Sequence, residues 1–194
     1  MKDLKAILEQ YAKIETGDLL AIINFVQLNS DYLFSGTSKN LSEIGHIYID
    51  YLVSLYDKSR YSKILDVVDI MEKSNDFIKY RKTDTEFDED VRYYKYASLF
   101  LTKKYRASKF GFADLVKDFP DNENYPNWLK DSNFRMRRTL YSLILFSSIG
   151  LLFLTLVLRH YLKLPIPKII GNVGEGIFLT FFVILMIDWY RNKE

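Results

Sequence analysis

The chain has no cysteine and only two histidines among 194 residues. The missing cysteines exclude disulfides, thiolate catalysis and cysteine-ligated zinc. Neither charge sign dominates: 27 Lys and Arg face 25 Asp and Glu, a formal net charge of +2. A chain so balanced lacks the basic stripe that nucleic acid demands, so no direct nucleic-acid partner is expected. Alternating apolar and polar runs are also missing, so no strand is expected. The opening MKDLKAILEQ has no long apolar core behind its basic residues, and no signal peptide or lipidation motif is expected there.

Long apolar stretches are present, and they lie late in the chain. Residues 139–158 carry no charge, and residues 169–187 carry only Glu175. At about 1.5 Å rise per residue each matches the length of a bilayer-spanning helix. The link between them holds Pro165 and Pro167, which favour a turn. The expectation is a transmembrane helical hairpin over residues 139–191, a juxtamembrane connector over 121–138, and an all-α cytosolic domain over 1–120. The charges are split accordingly. Up to Phe134 there are 19 basic and 22 acidic residues; from Arg135 onward there are 8 and 3. Basic residues outnumber those of the link on the side of the large domain, so that domain and the C-terminus are expected in the cytoplasm. The abundance of Lys, Asn, Ile, Tyr and Phe is compatible with an AT-rich bacterial genome, making a bacterial cytoplasmic membrane the expected location.

Membrane anchors are expected at Trp128, Arg135, Arg137, Arg138, Trp189 and Tyr190, because aromatic rings and basic groups favour the headgroup boundary. An alternative role for Trp128 is to cap the last helical hairpin of the head. Glu175 lies about 9 Å below the start of its helix. It is either a shallow carboxylate hydrated from the surface or paired with Arg159 or Lys168, or one of a ring of carboxylates lining an oligomeric pore. Gly171, Gly174 and Gly176 strip side chains from the helix around it. Ser147, Ser148 and Gly150 form a small-residue patch on the first stretch, and such patches let helices approach closely.

In the first 120 residues apolar side chains recur at helical spacing. Leu4, Ile7, Leu8 and Tyr11 form one stripe; Leu19, Leu20, Ile22, Ile23 and Val26 a second. Leu41, Ile44, Tyr48, Tyr51, Leu52 and Leu55 form a third, and Ile64, Leu65, Val67, Val68 and Met71 a fourth. Tyr93, Tyr96, Ala97 and Phe100, then Phe112, Leu115 and Val116, complete six helices. Gly17 with Asp18 separates the first pair. Asn40 with Glu43 reads as a capping box, Ser59 and Thr85 as N-caps, and Pro120 as the stop of the sixth helix. A repeat of about 44 residues aligns Tyr61 with Tyr105 and Ser54-Leu55-Tyr56 with Ser98-Leu99-Phe100, which points to stacked helical hairpins.

The third hairpin resembles a tetratricopeptide repeat. Ala97 and Phe100 match the small and aromatic positions of that family's first helix, and Ser108, Phe112 and Pro120 those of its second. The spacing between the two helices departs by one residue. The first two hairpins lack the proline, and their repeat is longer than the family's. The resemblance covers about 30 residues and implies an α-solenoid-like scaffold that binds other proteins or peptides.

No catalytic, cofactor or metal constellation stands out. The acidic run of residues 86–90 lacks the alternation and central glycine of a calcium loop and reads as a helix start. His46, among apolar residues, reads as a core or interface side chain. The chain is therefore expected to be no enzyme and to need no cofactor. The leading expectation is a membrane-anchored adaptor that binds a cytoplasmic protein partner, with the lipid bilayer and a homo-oligomer as further partners. Its rival is an oligomeric membrane pore or membrane-perturbing effector, the general shape of small two-span accessory proteins of RNA-targeting (CRISPR-type) bacterial immune loci.

Overall fold

The computed structural model describes residues 3–15, 17–34, 41–160, 176, 180, 183 and 184. Among the described residues every regular element is helical. They are α1 (Leu4–Tyr11), α2 (Leu19–Leu28), α3 (Ser30–Leu33), α4 (Leu41–Asp57), α5 (Tyr61–Lys73), α6 (Asn75–Thr83), α7 (Thr85–Leu101), α8 (Tyr105–Asp118) and α9 (Asn124–His160). The chain divides into two compact units, Met1–Ser132 and Asn133–Glu194.

Local chemistry sets most boundaries. Gly17 turns the chain at φ +92°, and the Asp18 carboxylate then accepts from the Ala21 amide at 3.0 Å, capping α2. The cap of α7 is Asp84 rather than Thr85; its carboxylate accepts from the Phe87 amide at 3.0 Å. Asp outranks Thr as a cap, and Glu86 and Asp88 follow in the first turn, where negative charge meets the helix dipole. Ser59 caps nothing: it takes a left-handed backbone, and Arg60 precedes α5. α8 stops at Asp118, two residues before Pro120. Asn40 lies outside the described residues. α6 was not anticipated because its only buried residue is Phe77, too little for a periodic stripe.

The helices of the first unit stack in series. α2, the second helix of the first hairpin, packs on α4; α5, the second helix of the next, packs on α7; α4 and α7 also touch each other. Ile47, Tyr48, Leu52, Leu55, Ile64, Val68 and Met71 between them are fully buried. Each such apolar side chain contributes on the order of 1.5–3 kcal/mol by leaving water. The Tyr48 hydroxyl donates to the Leu33 carbonyl, so this core tyrosine is satisfied. A second cluster joins Ala97, Phe112, Leu115 and Tyr125, against which Trp128 packs.

The repeat is realised at a period of 44 residues. α7 begins and ends 44 positions after α4, and α8 begins 44 positions after α5. Ser54 and Ser98, aligned by that period, are both fully buried.

The membrane hairpin expected from the apolar stretches is overturned. Among the described residues no helix is long and apolar enough to cross a membrane. Residues 139–158 are not a separate helix. They continue α9, which starts at Asn124 and carries Lys130, Asp131, Arg135, Arg137 and Arg138 before reaching them. Of residues 169–187 only 176, 180, 183 and 184 are described. The all-α class stands. The transmembrane helices, the integral-membrane location and the inside–outside orientation built on them do not.

Candidate binding groove

Two adjoining cavities mark the first unit. The smaller, about 350 Å³, lies between Ser42, His46 and Asp50 of α4, Tyr80 of α6, and Glu86 and Asp90 of α7, with Asp84 at its edge. The larger, about 530 Å³, shares His46 and Asp50 and continues over Leu8, Tyr11 and Ile14 beside Ile22 of α2. The groove thus runs from α1 and α2 across α4 to α6 and α7; α4 and α7 are the first helices of the two hairpins related by the 44-residue period. Its two ends differ chemically. Both ends share His46 and Asp50; beyond these the α1 end adds Leu8, Ala12, Ile14 and Ile22 with Glu15, whereas the α7 end adds Asp84, Glu86 and Asp90.

Helical spacing builds the acidic end. His46 and Asp50 are four residues apart on α4, as are Glu86 and Asp90 on α7, so each pair shares a face. Gly45 lets the third wall approach: a Cβ there would lie 3.0 Å from the Tyr80 hydroxyl. Tyr80 then donates to Asp84 at 2.6 Å, and Tyr11 donates to Asp50 at 2.5 Å. The Tyr80 hydrogen bond, with the Phe87 amide, holds the Asp84 carboxyl below its ordinary range. Burial, reinforced by the Asp84 carboxylate, pushes the Tyr80 phenol up to about 12. Burial also raises Asp90, and the neighbouring Glu86, Glu89 and Asp84 raise it further.

Neutralisation is one-sided. Glu72 is paired with Lys95 at 2.7 Å and Arg81 at 3.6 Å. Asp88 is paired with Arg81 at 2.5 Å and Arg92 at 3.3 Å, and Asp118 with Arg92 at 2.8 Å. Asp50, Asp84, Glu86 and Asp90 have no ion pair to a basic side chain among the described residues. Arg81, Arg92 and Lys95 are therefore committed to Glu72, Asp88 and Asp118, and His46 is the basic residue among those lining the smaller cavity.

The residues singled out in the sequence fall elsewhere. Trp128 stacks on Phe112 at 5.3 Å and 9° and meets Phe100 edge-on, so its ring packs on the last hairpin. Tyr125 is buried and donates to Glu89 at 2.6 Å. Arg135, Arg137 and Arg138 are exposed on α9. Ser147 and Ser148 both donate to carbonyls of their own helix, at Leu143 and Ile144, and Gly150 faces open space. Gly176 is exposed; Gly171, Gly174, Glu175, Trp189 and Tyr190 lie outside the described residues. Along α9 the apolar side chains of Leu140, Leu143, Phe146, Ile149, Phe153 and Leu154 are exposed.

His46 is not a core residue. It is exposed, and its ring meets Tyr11 edge-on at 5.5 Å where the cavities join. Ser42, His46 and Asp50 follow one another at four-residue spacing. Yet the hydrogen bond that Asp50 accepts comes from Tyr11, and His46 makes none with Ser42 or Asp50 among the described residues, so no nucleophile–base–acid chain is assembled. The groove's signal in the sequence was limited to two carboxylate-bearing helix faces; nothing local brings α4 and α7 together.

The first unit is thus an all-α stack of repeated helical hairpins with a groove from α1 across α4 to α7. No protein-family model matches the chain, and neither a curated protein nor a solved structure is significantly similar to it.

Proposed function

We propose that the first unit is a helical-repeat adaptor that binds a partner protein through the groove across α1, α4 and α7. The observation that carries this reading is the course of the groove from α1 across α4 to α7, the last two being the first helices of consecutive hairpins. Stacked repeats present extended concave surfaces of this kind, and partners bind along them. The combined volume lies in the range of ordinary ligand sites, but an elongated, open, chemically two-sided trough suits a peptide segment better than a compact metabolite. Tyrosines at its rim favour the same reading, since they bring large contact area at low entropic cost.

Site-specific photo-crosslinking tests the proposal. A photoreactive residue replacing Ile49, beside the groove, is expected to give a discrete protein adduct in the native host. The same residue replacing Ile70, exposed on α5 and outside the groove, is expected to give none. Identical adduct patterns at both positions, or none at either, would remove the groove from consideration.

A further inference from the structure

Resting on that reading, we propose that the groove is selective for a basic segment of the partner, with a Lys or Arg side chain entering the α4–α6–α7 cavity and a neighbouring apolar side chain lying over Leu8, Ile14 and Ile22. Charge complementarity and the division of the groove into two halves carry the assignment. Asp50, Asp84, Glu86 and Asp90 line a single cavity. Arg81 of α6 and Arg92 and Lys95 of α7 are engaged by Glu72, Asp88 and Asp118, and His46 is the one basic residue among those lining the cavity. Like charges brought together in a half-buried cavity repel one another, and an incoming cation relieves that repulsion. The tyrosine hydroxyls of Tyr11 and Tyr80 both point their protons at carboxylates, which keeps those oxygens oriented as acceptors.

The second half of the groove separates a peptide from a bare cation. The cavity of about 530 Å³ continues from the shared His46 and Asp50 onto an apolar wall. An inorganic ion would leave that wall unused, whereas a segment pairing a basic with an apolar residue fills both halves. Backbone groups of such a segment, extended along the trough, would also remain open to water and need no further partner.

The test uses the full chain and three fluorescein-labelled peptides of equal length, alternating Leu with Lys, with Gln or with Glu, read by fluorescence anisotropy. The Leu/Lys peptide is expected to bind at least about tenfold more tightly than the Leu/Gln peptide, and the Leu/Glu peptide least. The variant D50N/E86Q/D90N is expected to weaken Leu/Lys binding about tenfold or more and to flatten its salt dependence. The control D66N/D114N/D121N, of equal charge change on exposed positions elsewhere, is expected to stay within about twofold. Circular dichroism melts of every variant verify that each is folded. Equal weakening by the groove and control variants would reduce the effect to general surface charge and overturn the proposal. Displacement of the Leu/Lys peptide by millimolar calcium or magnesium at constant ionic strength would overturn it in favour of a cation site. If the Ile49 crosslink persists while the acid variants bind unchanged, the groove remains a docking site and only its basic selectivity fails.

Discussion

Ser59 and Lys103, 44 residues apart, occupy the same backbone niche: both take a left-handed conformation, with φ of 56° and 65°. The hydrogen bonds around them match. The Arg60 amide donates to Leu55 and the Lys104 amide to Leu99, each at 2.8 Å; the Ser59 and Lys103 amides donate to Tyr56 and Phe100, each at 2.9 Å. Two helical hairpins of the chain are therefore turned by one device, a left-handed residue that closes the first helix and releases the second.

That position is strained for a residue with a Cβ, by about 1–2 kcal/mol, and glycine removes most of the strain while adding backbone entropy to the unfolded chain. Ser59→Gly and Lys103→Gly are each expected to stabilise the protein by about 0.5 kcal/mol. Urea unfolding should register this as a higher midpoint with an unchanged slope. Ser59→Val should do the reverse, because a β-branched side chain tolerates positive φ least.

Gly111 is required by Tyr96. A Cβ at position 111 would lie 2.1 Å from the Tyr96 ring, and Ser108, one turn earlier, donates to the Tyr96 carbonyl at 3.0 Å. α7 and α8 meet here at a spacing that leaves no room for a methyl group. Gly111→Ala should cost about 1–3 kcal/mol by overpacking. In combination with Tyr96→Ala the penalty should be less than the sum of the two single changes, a coupling that a double-mutant cycle in denaturant measures directly.

Asp90 and Asp84 respond to pH in opposite senses. Asp90 has a folded pKa raised by burial and by Glu86, Glu89 and Asp84, so the folded state takes up its proton first. Its ionised form is a destabilising element at neutral pH, and that penalty is relieved as the pH falls through its folded pKa, above the ordinary 3.8. Asp84 has a folded pKa lowered by the Tyr80 hydrogen bond and the Phe87 amide; its contribution is present above 3.8 and is lost as the pH falls through the lower folded value. Asp90→Asn should raise the melting temperature at pH 7 and leave little difference from the parent near pH 3. The same substitution should weaken binding of a basic peptide, so stability and binding move in opposite directions. A loss of both would mean that Asp90 serves the fold.

The ion network opposite the groove ties α5, α6 and α7 together. Arg81 joins Glu72 of α5 to Asp88 of α7, and its side chain is only 16% exposed. Arg81→Met keeps much of the aliphatic stem but removes the cation that two carboxylates share, leaving Glu72 to Lys95 and Asp88 to Arg92. A loss of about 1–2 kcal/mol is expected, and it should shrink in Glu72→Gln, where one of the two acids is already neutral. Thermal melts of the four proteins give the comparison.

Much of the first unit was legible in the amino-acid sequence because helices are written in short-range terms. The 3.6-residue stripes, the break at Gly17 and Asp18 and the stop before Pro120 depend on residues within a few turns of one another, and the 44-residue period is the recurrence of such local patterns. Asp84 displaced Thr85 as a cap by a single position, and α6 went unnoticed because Phe77 alone anchors it. By residue content and length alone, the two apolar stretches fit a membrane hairpin. In the folded chain the first of them is the continuation of α9, which begins fifteen residues earlier among polar and charged side chains, and no described helix meets the requirement for a span.

What the sequence by itself determined is the helical class, the repeat and a few helix boundaries such as the break at Gly17 and the stop before Pro120, since these follow from periodicity and backbone sterics acting locally. Tertiary structure decided where charge is left uncompensated. Asp88 and Asp90 are two residues apart on α7, which turns their side chains to different sides of the helix. One meets Arg81 and Arg92. The other joins Asp50 and Glu86 in the cavity. That distinction depends on how α4, α6 and α7 pack, through Gly45 against Tyr80 and through buried side chains distant in the chain. No local rule of helix formation contains it.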